Sequence, residues 1–386
     1  MSGTSLDGID AALVRIEPRA GSYALELLRF ETFAYAAALK RDLVAALPPN
    51  PGSVAALANL HNALGRAYAR ATGEIRRGER VDFVASHGQT IWHDGPAHVT
   101  LQIGDAFVIR EAVAATVCYD FRSADTAAGG HGAPLVSYVD ALLLGSAGED
   151  RVALNLGGIA NVTLLRKGAA ANDAIAFDTG PGNMLLDAFL TQRTAGRKCF
   201  DADGALGRKG RTHEGTLEAM LGDEFFLAPP PKTTGRERFG RQYLSKHAAR
   251  LDTLTLEDGA ATLTELTAVA VAFAIRRAGF AGAALVVSGG GARNSFLLER
   301  LAARIAPGRL ERSDAFSLPA DAKEAIAFAV LGYETLRGRA ANVPAATGAR
   351  RRVVLGALAP YDLPDLFERL RLEVGAEEIG ADHGRA

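Results

Sequence analysis

Residues 151–168 read RVALNLGGIANVTLLRKG, two apolar runs parted by Gly157-Gly158 and flanked by Asn155 and Asn161. Apolar runs on either side of a glycine pair predict two antiparallel strands joined by a short turn. Downstream, AIAFDTGPGNMLLDAFL (174–190) reads as strand, glycine loop and helix. Farther on, a helix-like run (263–278) feeds AALVVSGGG (283–291), which empties into the helix-like ARNSFLLERLAARI (292–305). Strands alternating with helices predict an α/β fold.

The same opening occurs at the other end of the chain. SGTSLDGIDAALVRI (2–16) places Gly and small hydroxyl residues before an acidic residue and an apolar run, as LNLGGIANVTLL (154–165) places Gly before Asn and such a run. One copy in each half predicts a hairpin used twice. Residues 10–16 and 24–30 read as strands, 37–47 and 53–77 as helices broken apart by Pro48, Pro49 and Pro51, and 81–86 as a short buried strand.

With 386 residues the chain exceeds the size of one hydrophobic core, so two domains are expected. Its 48% hydrophobic and 23% charged content is that of a soluble globular protein. The net charge of −1, with no basic stripe, argues against a nucleic-acid partner. Cys118 and Cys199 lack CxxC spacing, which speaks against a zinc site or disulfide framework, and His87, His93 and His98 have no metal-ligand spacing. No signal-like segment opens the chain, so a cytoplasmic protein without a membrane role is expected.

Three glycine clusters suit anion binding. Gly3, Thr4, Ser5, Leu6, Asp7, Gly8, Ile9 and Asp10 form the first, which reads either as a plain turn or as a cradle whose N–H groups face phosphate. In the second reading Asp7 would hold Mg²⁺ through water, because Mg²⁺ keeps most of its hydration shell. Gly157, Gly158 and Asn161 belong to the second cluster. Gly289, Gly290, Gly291 and Asn294 form the third, between strand and helix, and they match neither GxGxxG nor a P-loop. Asp178, in AFDTGPGN, is expected at a strand's end as a general base, or else as a helix cap for which Asn183 is better placed. His87, Gln89, Arg122 and Asp125 are polar groups offered from loops to a hydroxylated ligand, with Arg122 suited to a carboxylate or phosphate. Trp92 suits a sugar face or the core. Asp321 reads as the cap or first-turn acid of a helix, and Glu324 either touches substrate or lies on a solvated helix face.

Taken together, MSGTSLDGIDAALV, ASHGQTIWH, LQIGD, DFRSADTAAGGHGAPLV, LNLGGIANVT, FDTGPGNMLLDAF, PPPKTTGRERF, SGGGARN, DAKEAIAFAVLGYETL and NVPAATGA closely resemble the anhydro-N-acetylmuramic acid kinases, from residue 1 to about residue 357. The resemblance implies two duplicated ribonuclease-H-like (actin-like ATPase) domains with an interdomain nucleotide cleft. The expected domains are 1–125, rejoined by 341–370, and 126–340, with a tail at 371–386. It also implies ATP and Mg²⁺ as cofactors, a homodimer, and a reaction that opens a 1,6-anhydro sugar as O6 is phosphorylated. By resemblance Asp178 is the base, the first two clusters bind phosphate, the third lies near the adenosine, and His87, Gln89, Arg122, Asp125, Asn183 and Glu324 meet the sugar. Family members carry apolar residues ahead of MSGTS, so a preceding strand is expected, and weak ATP binding or poor folding without it. Another sugar kinase of the superfold, or an ATP-gated actin-like binding module, are the alternative readings.

Overall fold

The structure is a computed structural model that describes residues 1–3, 6, 8–19, 22–47 and 52–378. Its strands are β1 (Ile9–Arg19), β2 (Ser22–Phe33), β3 (Phe83–Ser86), β4 (Gln89–Asp94), β5 (Val99–Ile103), β6 (Thr116–Tyr119), β7 (Arg151–Leu156), β8 (Ile159–Leu165), β9 (Ile175–Pro181), β10 (Ala284–Ser288), β11 (Leu310–Arg312) and β12 (Ala357–Ala359). With helices between them, the fold is α/β, in two units. The first comprises Met1–Leu143 and the chain from Ala322 onward; the second is Leu144–Asp321.

These boundaries differ from the expected 125/126 and 340/341. Residues 126–143 and 322–340 stay in the first unit because buried polar contacts tie them to it. Lys323 pairs with Asp140 at 2.7 Å, both side chains under a tenth exposed. The Glu334 carboxylate, fully buried, accepts the hydroxyls of Tyr23 and Tyr138. Partners so distant along the chain leave no local sequence signal.

In the second unit the sheet order is β11-β10-β7-β8-β9. Strands β7, β8 and β9 run antiparallel in sequence, and β10 lies parallel to both β7 and β11. Central β7 is covered on both faces, so Val152, Ala153, Leu154 and Leu156 are all buried instead of alternating. The helix Leu256–Arg277 is long and apolar enough to cross a membrane by length and composition. Here it is a core helix: Val271, Ala272 and Ile275 pack with Leu154, Val162 and Phe177 of the sheet. Each fully buried side chain of this size contributes about 1.5–3 kcal/mol. A second, aromatic cluster joins Phe189, Phe225, Phe226, Phe239 and Tyr243.

The first unit holds hairpin β1–β2, the sheet β12-β6-β3 and hairpin β4–β5. Strand β1 extends through Pro18, beyond the expected end at residue 16, because among the described residues it pairs only with β2 and Pro18 forfeits no second ladder. Leu64, Ile109 and Val117 anchor its core. The tail expected from residue 371 instead continues the helix Leu363–Glu378; the residues after it lie outside the described set.

Candidate active site

In the second unit a row of polar residues crosses four strands. Ser288 of β10 is the register partner of Asn155, Asn155 of Asn161, and Asn161 of Asp178. Residues directly opposite one another point to the same face of a sheet. The row therefore gathers Ser288, Asn155, Asn161 and Asp178 on one face, just ahead of the glycine loops that leave β7 and β10.

Asp178 lies within β9, not at its end as expected. The β8–β9 ladder shifts between Ala160 and Asn161, so that Asn161 faces Asp178 and Ala160 faces Gly180. The extra residue, Thr179, turns inward, its hydroxyl donating to the Ala160 carbonyl at 3.0 Å. A bulge of this kind re-aims the neighbouring side chain without ending the strand. The Asp178 N–H donates to the Lys232 carbonyl at 3.0 Å, and its Oδ2 accepts the Thr234 N–H at 2.8 Å. Burial pushes the Asp178 carboxyl up to about 7, against the Thr234 N–H; Glu237 adds to the rise and Lys232 opposes it. A carboxyl held there is suited to accept a proton near neutral pH. Lys232 is itself lowered to about 8, first by burial, and its ammonium donates to the carbonyls of Phe225 at 2.8 Å and Phe226 at 3.3 Å.

The glycine loops pack against one another. The Gly157 carbonyl accepts the Asn183 N–H at 2.9 Å, and the Gly158 carbonyl accepts those of Gly182 at 2.9 Å and Met184 at 3.1 Å. A Cβ on Gly291 would come 2.7 Å from the Leu156 Cβ and 3.0 Å from the Asn183 amide. Gly289 has φ +81°, and a Cβ there would meet Asn155 Oδ1 at 2.6 Å, whereas Gly290 faces open space. Asn183 occupies the N-cap position of the helix Met184–Arg193, yet it does not cap; its Nδ2 donates to the Leu156 carbonyl at 3.4 Å. Asn294, expected at the ligand, is the cap of the helix Ser295–Ile305, its Oδ1 accepting the Leu297 N–H at 2.9 Å. Asp321 caps no helix; it pairs with Arg293.

In the first unit Thr4, Ser5 and Asp7 lie outside the described residues. Leu6 and Ile9 bury their side chains in the core, contrary to a ligand role for those side chains. The Asp10 N–H donates to the Met1 carbonyl at 2.9 Å, closing the loop at its base, and the Asp10 carboxylate accepts the Thr32 hydroxyl at 2.6 Å. A Cβ on Gly8 would lie 2.6 Å from Thr32 Cγ2, so only glycine allows this approach to β2. Gly3 offers its carbonyl to the Leu6 N–H at 3.3 Å and to Gln89 Nε2 at 3.4 Å.

Three residues expected to touch the sugar are engaged by protein groups in this structure. Gln89 is fully buried; besides its bond to Gly3, its Oε1 accepts the Ser2 hydroxyl at 2.6 Å. Asp125, also fully buried, accepts Asn342 Nδ2 and the Thr347 hydroxyl, each at 2.8 Å, on Oδ1, and the Gly132 N–H at 2.8 Å on Oδ2. His87 has both ring nitrogens engaged: Nε2 accepts from Arg122 Nε at 3.0 Å, and Nδ1 lies 2.9 Å from the Gly88 carbonyl. Because arginine can only donate, His87 must be neutral with its proton on Nδ1, in keeping with a pKa that burial, then Arg122, holds well below the usual imidazole value. Arg122 also donates to the Gly132 carbonyl at 2.5 Å, and burial lowers it only to about 10, so it stays cationic. Glu324 is exposed in the first turn of the helix Lys323–Leu336 and acts electrostatically on Arg122. Trp92 is 48% exposed, which rules out the core role.

The sequence reading assigned no role to Ser2, Lys232, Thr234, Asn342 or Thr347. The one local signal was PPPKTTG, a polar run without hydrophobic period.

Packed glycine loops beside a carboxyl poised to take a proton, within an α/β fold, suit an enzyme that binds an anionic ligand. Sequence comparison specifies which one. The family model described as anhydro-N-acetylmuramic acid kinase matches residues 1–361. The anhydro-N-acetylmuramic acid kinase of Streptomyces avermitilis is 45% identical, over 93% of both chains. That of Caldanaerobacter subterraneus subsp. tengcongensis is 39% identical over 93% of this chain and 95% of the relative, and that of Xanthomonas axonopodis pv. citri 44% over 93% and 96%. The chain belongs to the anhydro-N-acetylmuramic acid kinase family.

Proposed function

We propose that the protein opens 1,6-anhydro-N-acetylmuramic acid with water and phosphorylates its O6, yielding N-acetylmuramic acid 6-phosphate and ADP in cytoplasmic recycling of peptidoglycan. The observation that carries this reading is the Asp178 carboxyl, raised to about 7 within the polar row beside the glycine loops. Asp178 takes a proton from water as the water oxygen bonds to the anomeric carbon. The C1–O6 bond breaks, O6 bonds to the γ-phosphorus of ATP, and ADP leaves with the electron pair of the broken P–O bond. Capture of an oxocarbenium-like centre by a carboxylate-held water, and phosphoryl transfer through alignment and charge stabilisation, both suit a chain of this build.

In this reading the two actin-like domains are duplicated and bind ATP. The phosphates are taken by the Gly3–Asp10 cluster in the first unit and by backbone N–H groups of Gly157 and Gly158 in the second, with the Gly289–Gly291 loop at the adenosine. Arg122, held by His87 and the Gly132 carbonyl, is presented to the acid group of the muramyl substrate. Mg²⁺ on the phosphates would neutralise their charge; Asp7, its expected water-mediated holder, lies outside the described residues. The homodimer is carried over from the family resemblance.

Incubation with ATP and, separately, the anhydro sugar, glucose or glucosamine tests the assignment. A product with the mass of N-acetylmuramic acid 6-phosphate from the anhydro sugar alone is expected. Phosphorylation of glucose or glucosamine without turnover of the anhydro sugar would place the protein among other kinases of the superfold.

A further inference from the structure

Residues 232–234 form a strap along β9, bonded to Asp178 at its N–H through the Lys232 carbonyl and at its carboxylate through the Thr234 N–H. The strap is itself anchored. The Lys232 ammonium is tied to two carbonyls of the aromatic cluster and lies 4.5 Å from the Phe225 ring centre, and Phe226 packs over Gly180, where a Cβ would come 2.7 Å from its ring. Against this fixed background one group stands out. The Thr234 Oγ1 is buried and has no hydrogen-bond partner among the described residues.

Leaving a buried hydroxyl unpaired costs about 1–3 kcal/mol, and such groups are few in folded proteins. The Thr234 N–H already grips the Asp178 carboxyl, and the few covalent bonds between that nitrogen and Oγ1 keep the hydroxyl within one water's reach of the same carboxyl. Asp178 Oδ1, meanwhile, is engaged by no described group. An unpartnered hydroxyl thus lies within one water's reach of an unengaged carboxylate oxygen, and a water bonded to both would satisfy them together.

We infer that the Thr234 hydroxyl is the second holder of the water that Asp178 activates. This rests on the reading of Asp178 as the base. Asp178 Oδ1 takes one proton of the water, Thr234 Oγ1 accepts a hydrogen bond from the other, and the remaining lone pair is aimed at the anomeric carbon. The backbone N–H of Thr234 orients the base, and its side chain orients what the base acts on.

Thr234→Val and Thr234→Ser, compared with Asp178→Asn on the full chain, test this. Valine keeps the N–H and the shape but lacks the hydroxyl. It is expected to lower kcat by about 10- to 100-fold, to leave the KM for ATP within about twofold, and to melt within about 2 °C of wild type, since no protein group loses a hydrogen-bond partner. Serine is expected to retain kcat within about threefold. Valine with wild-type kcat would overturn the inference, as would a valine defect that comes with a lowered melting temperature and is not rescued by serine, which marks a structural role. If Asp178→Asn is inactive while Thr234→Val is fully active, only the role of the hydroxyl falls. If Asp178→Asn keeps turning over, the base assignment falls first.

Discussion

Asp178→Asn is expected to lower kcat for the anhydro sugar by about 10²–10⁴-fold while ATP still binds, because the amide keeps the shape and can still accept the Thr234 N–H but cannot take a proton. Isothermal titration with a non-hydrolysable ATP analogue beside steady-state kinetics separates the two effects. The wild-type rate should fall as pH drops through about 7, where the base becomes protonated, and this limb should vanish from the residual activity of the variant. Stability supplies an independent readout. The folded-state pKa lies above the reference value of 3.8, so the folded chain holds this proton up to about pH 7 while the unfolded chain releases it near pH 4. Wild-type stability is therefore lost as pH rises from 4 to 7, and Asn removes that loss. The variant should be more stable than wild type at pH 8, by roughly 1–3 kcal/mol, with the gap closing toward pH 4. Full turnover, or a variant less stable at pH 8, would contradict this account of the residue.

Asp125→Ala should be the most destabilising single change in the first unit's site region. Asp125 is fully buried and carries three hydrogen bonds, so alanine strands Asn342 Nδ2, the Thr347 hydroxyl and the Gly132 N–H away from water. Asn342 keeps a second bond from Nδ2 to the Arg351 carbonyl at 3.2 Å, which softens its share. A loss of about 3–5 kcal/mol is expected, corresponding to a fall of about 6–20 °C in melting temperature for a unit of this size. Function should follow by a distinct route. The Gly132 carbonyl accepts from Arg122, so below the melting range the KM for the sugar should rise while that for ATP changes little. A melting temperature within a degree or two of wild type would show that the network carries no such load.

The same network explains what could be read from the chain and what could not. The β7–β8 hairpin, the β9 strand and loop and the β10 glycine loop follow local patterns, and the structure contains each of them. Asp178 was marked by an apolar run emptying into Thr-Gly-Pro-Gly, yet its position within the strand was hidden, because the bulge at Thr179 arises from pairing with β8 and not from β9 itself. His87, Gln89 and Asp125 were read as ligands for a related reason. A polar residue in a glycine-rich loop has the same local signature whether it serves a substrate or the backbone. The distinction lies in partners such as Ser2 for Gln89 and Asn342 and Thr347 for Asp125, which are remote along the chain. Lys232 and Thr234 carry no local signal because their contacts to Asp178 arise from lying alongside β9, a tertiary placement that PPPKTTG does not encode by period or composition.

The central claim is that water enters at the anomeric carbon in the same event that places phosphate on O6, with Asp178 taking the proton. Running the reaction with ATP and the anhydro sugar in heavy-oxygen water, and fragmenting the product promptly in a mass spectrometer, tests it most directly. One heavy oxygen on the anomeric hydroxyl and none on the phosphate is the predicted result. An unlabelled sugar, or label found only on phosphate, would contradict it.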